Sequence, residues 1–278
     1  MSNTYTGYIR ELQITDDSPA QYQLLLDANL IPLNPLLGCG LEVRFLGQIE
    51  CAECGQLTKK SYGGGYCYPC FATLARCDLC VMSPDRCHFH LKTCRDPEWG
   101  ESFCMQPHTV YLANSSGLKV GITRQGRETK RWLDQGATQG LPLLTTTTRK
   151  EAGEVEVIIA KQLSDRTNWR LLVSQETSPV NLADERNQLR GDLDLPNVVW
   201  SMESERQFQF PVRQYSPAVN FSLHKQTVRG NLIGMKGQYL LFDNGALNIS
   251  RHRSYHIELT VLDDPVSLDK EDQMELFT

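Results

Sequence analysis

The chain has 278 residues, 40% hydrophobic and 22% charged, which is enough apolar content for a buried core and excludes a disordered chain. No apolar run approaches the roughly 20 residues of a membrane helix. The start MSNTYTGYIRELQI also lacks the basic and apolar regions of a secretory leader, so a cytoplasmic protein with no membrane partner is expected. A net charge of −5 argues against a generic nucleic-acid binder, yet residues 51–150 carry a formal +5 against −10 elsewhere, a local bias that suits phosphate.

Residues 1–50 read as β-structure. TGYIREL, QYQLLLD and LEVRFLGQI are short apolar or alternating runs separated by DDSPA and LNPLLGCG. The region 51–104 has few apolar positions and most of the ten cysteines, so bound metal has to stand in for a core there. In a reducing compartment such closely spaced cysteines point to metal ligation rather than disulfides.

The first unit is Cys51-x2-Cys54-x12-Cys67-x2-Cys70, the spacing of a zinc ribbon. Each knuckle aims two thiolates at one point, and two knuckles complete the tetrahedron that zinc prefers. A third knuckle, Cys77-x2-Cys80, opens a second unit in which Cys87, His88, His90, Cys94 and Cys104 compete for two places. Cys87 and His90 have ligand-like spacing, and Cys94 or Cys104 could replace either. Sequential sites, crossed sites and an iron–sulfur cluster remain open on spacing alone. Two zinc ions with every position filled by protein would be structural. Cys39 lies outside the pattern and is expected as a buried thiol.

Residues 105–175 alternate strand and helix signals. TVYLA and LKVGIT form two short strands joined by NSSG, and a helix follows that stops near Gly136. Arg127, Arg131 and Gln135 fall four residues apart and share its face. A second helix is expected over about 151–164, with Glu156 at the edge of an apolar stripe. A strand tyrosine, Tyr111, with Arg131 and Glu156 would make a phosphodiester-cleaving set. Arginine would bind the phosphate, the carboxylate would hold magnesium or manganese, and the phenol would orient water or handle a proton. Without catalysis, Lys119, Arg124, Arg127 and Arg131 would still hold the phosphates of DNA or RNA.

Residues 176–205 are polar and read as a surface helix or connector. From 206 to 265 β-signals return in FQFPV, TVRGNLIG, QYLLFDNGALNIS and HIELTVL, with DNGA as a hairpin turn. Residues 266–278 form an acidic tail. LNPLLGCGLEVRFLG and NLIGMKGQYLLFDNG suggest either an internal repeat or two chain ends closing one barrel. The expected fold class is α+β: barrel-like β-rich ends, a double zinc-binding region and a small α/β module.

TVY (109–111), KVG (119–121), the Arg131–Trp132 pair and a helix bearing Glu156 resemble a GIY-YIG endonuclease module over roughly 108–170. The resemblance implies a small α/β fold with a central antiparallel sheet and metal-dependent DNA cleavage. Tyr111 matches the first-motif tyrosine, Arg131 the phosphate-contacting arginine and Glu156 the metal-holding glutamate. Lys119 stands where the second-motif tyrosine usually is, and Gln135 where some members carry histidine. GYCYPCF, KVGITR, RWLDQGA and GMKGQYLLFDNGALNI also resemble a bacterial family defined as domain of unknown function 2797, which implies architecture and no activity. An endonuclease, a non-catalytic nucleic-acid or protein-binding module, and an adaptor working through its tail or a sheet edge are the three readings carried forward.

Overall fold

A computed structural model describes residues 3–193, 195 and 198–266. In chain order the first elements are β1 (Thr4–Thr15), β2 (Gln21–Leu26), β3 (Asn29–Pro32), β4 (Gly40–Glu50) and β5 (Leu57–Thr58). The cysteine region then holds three short helices, α1 (Tyr68–Thr73), α2 (Leu79–Met82) and α3 (Pro97–Phe103). The central module contains β6 (His108–Asn114), β7 (Leu118–Arg124), α4 (Glu128–Asp134), β8 (Gln139–Thr146), α5 (Arg149–Ile159), α6 (Trp169–Ser174) and α7 (Leu182–Asp192). After β9 (Val199–Trp200) and β10 (Arg206–Gln207) come β11 (Val228–Lys236), β12 (Tyr239–Phe242), β13 (Gly245–Asn248) and β14 (Tyr255–Val261).

The two ends of the chain build one antiparallel sheet of nine strands in the order β13-β12-β11-β4-β14-β1-β2-β3, with β5 also on β4. β14 inserts between β1 and β4, so Thr4 faces Thr260 and Tyr255 faces Ile49. Alternation dictates this layer. In β2, Tyr22, Leu24 and Leu26 are buried while Gln21 is exposed and Gln23 half-exposed. Each such aliphatic side chain taken out of water contributes about 1.5–3 kcal/mol.

The barrel-like expectation is corrected here: the sheet is open. The two segments suspected of closing it do pair, with β11 antiparallel to β4 from Val228↔Val43 to Asn231↔Gly40. The outer edge of β13, however, is occupied by the 219–221 stretch. Ala246 donates to the Val219 carbonyl at 2.8 Å and Phe221 to the Ala246 carbonyl at 2.9 Å. With that edge satisfied, no ladder to β3 forms. Closure comes from packing instead: Tyr111, Ala113, Trp132, Leu133 and Ala137 of the central module belong to the same apolar cluster as the sheet's buried residues.

The second sheet is antiparallel, in the order β10-β8-β6-β7 with β9 also on β8. Val110, Leu112, Val120 and Ile122 face Val155 and Ile159 of α5 and Leu182 and Leu189 of α7. The opposite face meets α4 and the larger sheet. Gly136, at φ +68, ends α4 as a C′ glycine. α5 is capped by Thr148, which accepts from the Glu151 amide at 3.3 Å, while Glu151 accepts from the Thr147 amide at 2.9 Å. This helix starts earlier than its periodicity suggests and stops at Ile159. The chain then leaves the helix so that the Val120 amide can donate to the Ser164 carbonyl at 2.9 Å. FQFPV (208–212) forms no strand and makes only an isolated bridge, Val212 to Gly234, and Pro211 has no amide to give a ladder. Residues 194, 196, 197 and the tail from 267 on lie outside the described residues.

Candidate metal centre and basic groove

The first cysteine group assembles at the root of the β4–β5 hairpin. Cys51 and Cys54 lie on a tight turn closed by the Gly55 amide on the Cys51 carbonyl at 2.9 Å, with Gly55 at φ +71. Cys67 caps α1 and Cys70 lies within it. The four sulfurs all lie within 4.8 Å of one another, and Cys54 and Cys67 are 3.8 Å apart. A tetrahedron with zinc–sulfur bonds of about 2.3 Å has edges of about 3.8 Å, so the cluster has the dimensions of a four-thiolate site. Burial alone would push the Cys51 thiol up, but backbone amides of Cys54, Cys67 and Glu53 aimed at its sulfur bring it down to about 6. Four sulfurs this close cannot all ionise without a cation among them.

The second unit is arranged differently from its spacing. Cys80, Cys87, Cys94 and Cys104 line one small cavity together with Asp78 and His88. The Cys80 thiol is pushed up to about 11 by burial, then by Asp78 and the neighbouring Cys87, Cys104 and Cys94. Cys104 is likewise pushed up to about 11, chiefly by burial. Asp78, Cys80 and His88 place ligand atoms within 4.8 Å of one another and form a second group that could hold a metal ion. Asp78 was missed in the sequence, hidden as a spacer inside a knuckle. Cys77 is in neither the four-residue nor the three-residue group; its thiol is raised by burial, against Arg76 and Arg95, with smaller rises from Glu53 and Cys51. His90 is exposed and joins neither group, and Cys39 is half-buried against the large core.

In the central module Tyr111, Lys119 and Gly121 share one face of the sheet, because Tyr111 pairs with Gly121 and Ala113 with Lys119. Tyr111 is 0% exposed; its hydroxyl donates to Gln135 at 3.2 Å and its ring meets Trp132 edge-on. A Cβ on Gly121 would stand 2.6 Å from that hydroxyl, which is why the KVG stretch needs its glycine. Lys119 is buried and donates to the Thr167 hydroxyl at 2.7 Å. Burial and then Arg131 bring its amine down to about 8, against the pull of Glu156 and Asp165.

Glu156 reaches this neighbourhood from α5, which packs on the opposite face but passes the edge strand β7. Burial and then Asp165 push its carboxyl up to about 7, opposed by Arg149, Arg131 and Lys119. Tyr111 in turn is raised by burial and lowered by Arg131, with a smaller rise from Glu156. Tyr111, Lys119, Arg131 and Glu156 therefore lie within electrostatic reach of one another.

Arg131 also opens onto a groove of about 360 Å³ that it lines with Arg124, Arg127, Lys130, Arg149 and Asp134. Lys130 is held by Glu11 and Asp134 at 3.0 and 3.8 Å. Arg124, Arg127, Arg131 and Arg149 have no carboxylate at ion-pair distance among the described residues. Val81, Met82 and Phe103 of the cysteine region form the opposite wall, and the Arg124 guanidinium lies 4.5 Å over the Phe103 ring.

A family model described as "Protein of unknown function (DUF2797)" matches residues 38–257. The chain belongs to this family. No curated protein and no solved structure matches. The DUF2797 match opens just before β4 and ends inside β14, so it holds both cysteine groups, the whole central module and the groove between them. No helix among the described residues of this DUF2797 chain is long and apolar enough to cross a membrane.

Proposed function

We propose that this DUF2797 protein acts on nucleic acid as a metal-dependent, GIY-YIG-like endonuclease whose cysteine groups hold two structural zinc ions. The observation that carries the reading is that Tyr111, Lys119, Arg131 and Glu156 lie within electrostatic reach of one another beside a groove whose arginines have no carboxylate at ion-pair distance among the described residues. Such a groove attracts phosphate through charge that the fold has not already neutralised. Arg131, exposed at the groove and adjacent to the buried set, binds the scissile phosphate through its planar fork. Burial and the neighbouring Asp165 raise the hold of Glu156 on its proton, and a hard divalent cation would relieve that repulsion, so the donors fit magnesium or manganese. Bound there, the ion would supply charge stabilisation to the phosphoryl oxygens. Lys119, with its amine near 8, exchanges a proton at working pH, a task the resembled family gives to tyrosine.

The test is metal-dependent nicking of plasmid, single-stranded DNA and structured RNA. Arg131→Ala and Glu156→Gln should each lower activity at least a hundredfold, as losing about 2.7 kcal/mol of transition-state stabilisation implies. Equal trace activity in wild type and Glu156→Gln sinks the endonuclease. A second reading, a non-catalytic binding module, is favoured by one observation: at 0% exposure the Tyr111 hydroxyl touches protein rather than the groove. Binding with full salt dependence and no cleavage is what that reading expects. The reduced cysteines suit a cytoplasmic site of action.

A further inference from the structure

A cavity of about 540 Å³ lies away from the arginine groove, where the two sheets meet. Its lining comes from four parts of the chain: Gln139 at the start of β8, Thr177 in the segment before α7, Phe210 and Tyr215 between β10 and β11, and Lys236 at the end of β11. Junctions of this kind are where small-molecule sites form, and the volume is in the usual range of about 300–1,000 Å³.

Lys236 is 1% exposed. Its stem packs against Gly136, where an added Cβ would meet the lysine Cγ at 3.2 Å. Its ammonium has three protons to donate but, among the described residues, one hydrogen-bond partner, the Thr177 hydroxyl at 2.8 Å, with the Tyr215 ring 5.5 Å away. Thr177 is itself fixed, donating to the Ser115 carbonyl at 2.6 Å. No carboxylate lies within ion-pair distance of Lys236 among the described residues. A buried cation with one neutral partner is costly to keep unless something else compensates it. Arg213 lines the same cavity, and it too makes no ion pair among the described residues. The rings of Phe210 and Tyr215 are only partly buried and border the same space.

We propose that this cavity binds a small organic anion with a planar ring, its phosphate or carboxylate held by Lys236 and its ring lying against Phe210 and Tyr215. Lys236 supplies the anion's counter-charge, and flat aromatic faces accept a planar body without demanding one pattern of donors. Glu176, exposed at the rim of the cavity, opposes a second negative group there and so favours a ligand with one anionic head over a polyphosphate.

The test uses the full-length, metal-loaded protein. Calorimetric titration and thermal shift are run with the four nucleoside monophosphates, with benzoate as a ring-bearing carboxylate, and with inorganic phosphate and acetate as heads without rings. At least one ring-bearing anion should bind tenfold or more tighter than its bare head, and the monophosphate and benzoate arms decide which head is preferred. Lys236→Met should lower that affinity at least tenfold while unfolding no earlier than wild type without ligand, since a lone buried charge is removed. Tyr215→Ala should weaken the ring-bearing anions and leave inorganic phosphate unchanged. The proposal is overturned if no ring-bearing anion outbinds its bare head or if Lys236→Met binds like wild type. A Lys236→Met protein that unfolds well below wild type also overturns it, because the ammonium would then be a structural partner of Thr177.

Discussion

Replacing Gly121 by alanine tests whether the Tyr111 packing is as tight as the structure has it. The added methyl would lie 2.6 Å from the Tyr111 hydroxyl, 2.7 Å from Cζ and 3.0 Å from Cε2. Gly121 has no left-handed backbone angle, so the substitution strains nothing but the packing. Two effects oppose each other. Alanine reduces the freedom of the unfolded chain, which alone would stabilise by about 0.4–1 kcal/mol. Overpacking costs about 1–3 kcal/mol, and Tyr111 cannot swing aside because Trp132 and Gln135 hold it at 0% exposure. Displacing the hydroxyl from Gln135 adds about 0.5–1.5 kcal/mol. The net expectation is a loss of about 1–3 kcal/mol, read as a lower urea midpoint with unchanged slope. Tyr111→Leu removes all three clashing atoms, so in the Tyr111→Leu background Gly121→Ala should cost little, a coupling of about 1–2 kcal/mol in the double-mutant cycle. Strictly additive variants, or a Gly121→Ala protein as stable as wild type, would refute the packing.

Other consequences are open to measurement. Purified protein should carry about two equivalents of zinc by elemental analysis; Cys51→Ser and Cys104→Ser should each lose about one, while Cys77→Ser and His90→Ala keep both, and metal loss in either of the latter pair contradicts the assignment. If the groove holds phosphates, log affinity for duplex DNA should fall with log salt by about 0.9 per phosphate contacted, and Arg124→Glu with Arg127→Glu should weaken all sequences alike. Unaltered binding in that double variant removes the groove as the site. Lys236 gives a pH test: folding lowers its amine from 10.5 to about 8, so below pH 8 the folded state carries a buried charge, and between 8 and 10.5 the unfolded chain holds the extra proton. Stability should therefore rise with pH across that window, and the stability gap between wild type and Lys236→Met should narrow by up to about 3 kcal/mol from pH 7 to 10. A gap independent of pH would show that the ammonium is not desolvated.

The strands of the large sheet are legible because each is an alternating or apolar run closed by turn residues, and the DNGA hairpin is where its residues place it, with Phe242 facing Gly245. The first cysteine group follows from spacing because each of its knuckles is one local turn. The third knuckle is less regular than its spacing suggests. Cys77 belongs to the short helical turn Ala75–Cys77, while Asp78, extended at ψ 152, caps α2 and accepts from the Cys80 amide at 3.4 Å. That break separates the two cysteines into different elements, and no spacing rule registers an N-cap between paired ligands. β8 was hidden by Pro142 inside its run. Lys236, next to a Gly-Gln turn, looks like an ordinary turn charge until Thr177 of the connector and Tyr215 of the segment before β11 come over it.

The cysteine region is built into the central module rather than appended to it. Gly153 of α5 sits so close to Pro84 and Asp85 that a Cβ would lie 2.6 Å from both the Asp85 amide nitrogen and the Pro84 Cβ. Arg149, the first residue of that helix, donates to the Val81 carbonyl at 2.7 Å, and its own amide donates to the Cys104 carbonyl at 2.8 Å. The segment from Val81 to Cys104 has few apolar residues of its own, so the second cysteine group fixes its shape. Glu156 lies two turns along α5 from Arg149, and helix rigidity transmits position over that distance with little loss. A metal that only folds its own loop therefore also sets where Glu156 and Arg149 stand relative to Arg131. That is a physical reason for a segment that could hold metal to lie between the large sheet and the groove-bearing module in the chain.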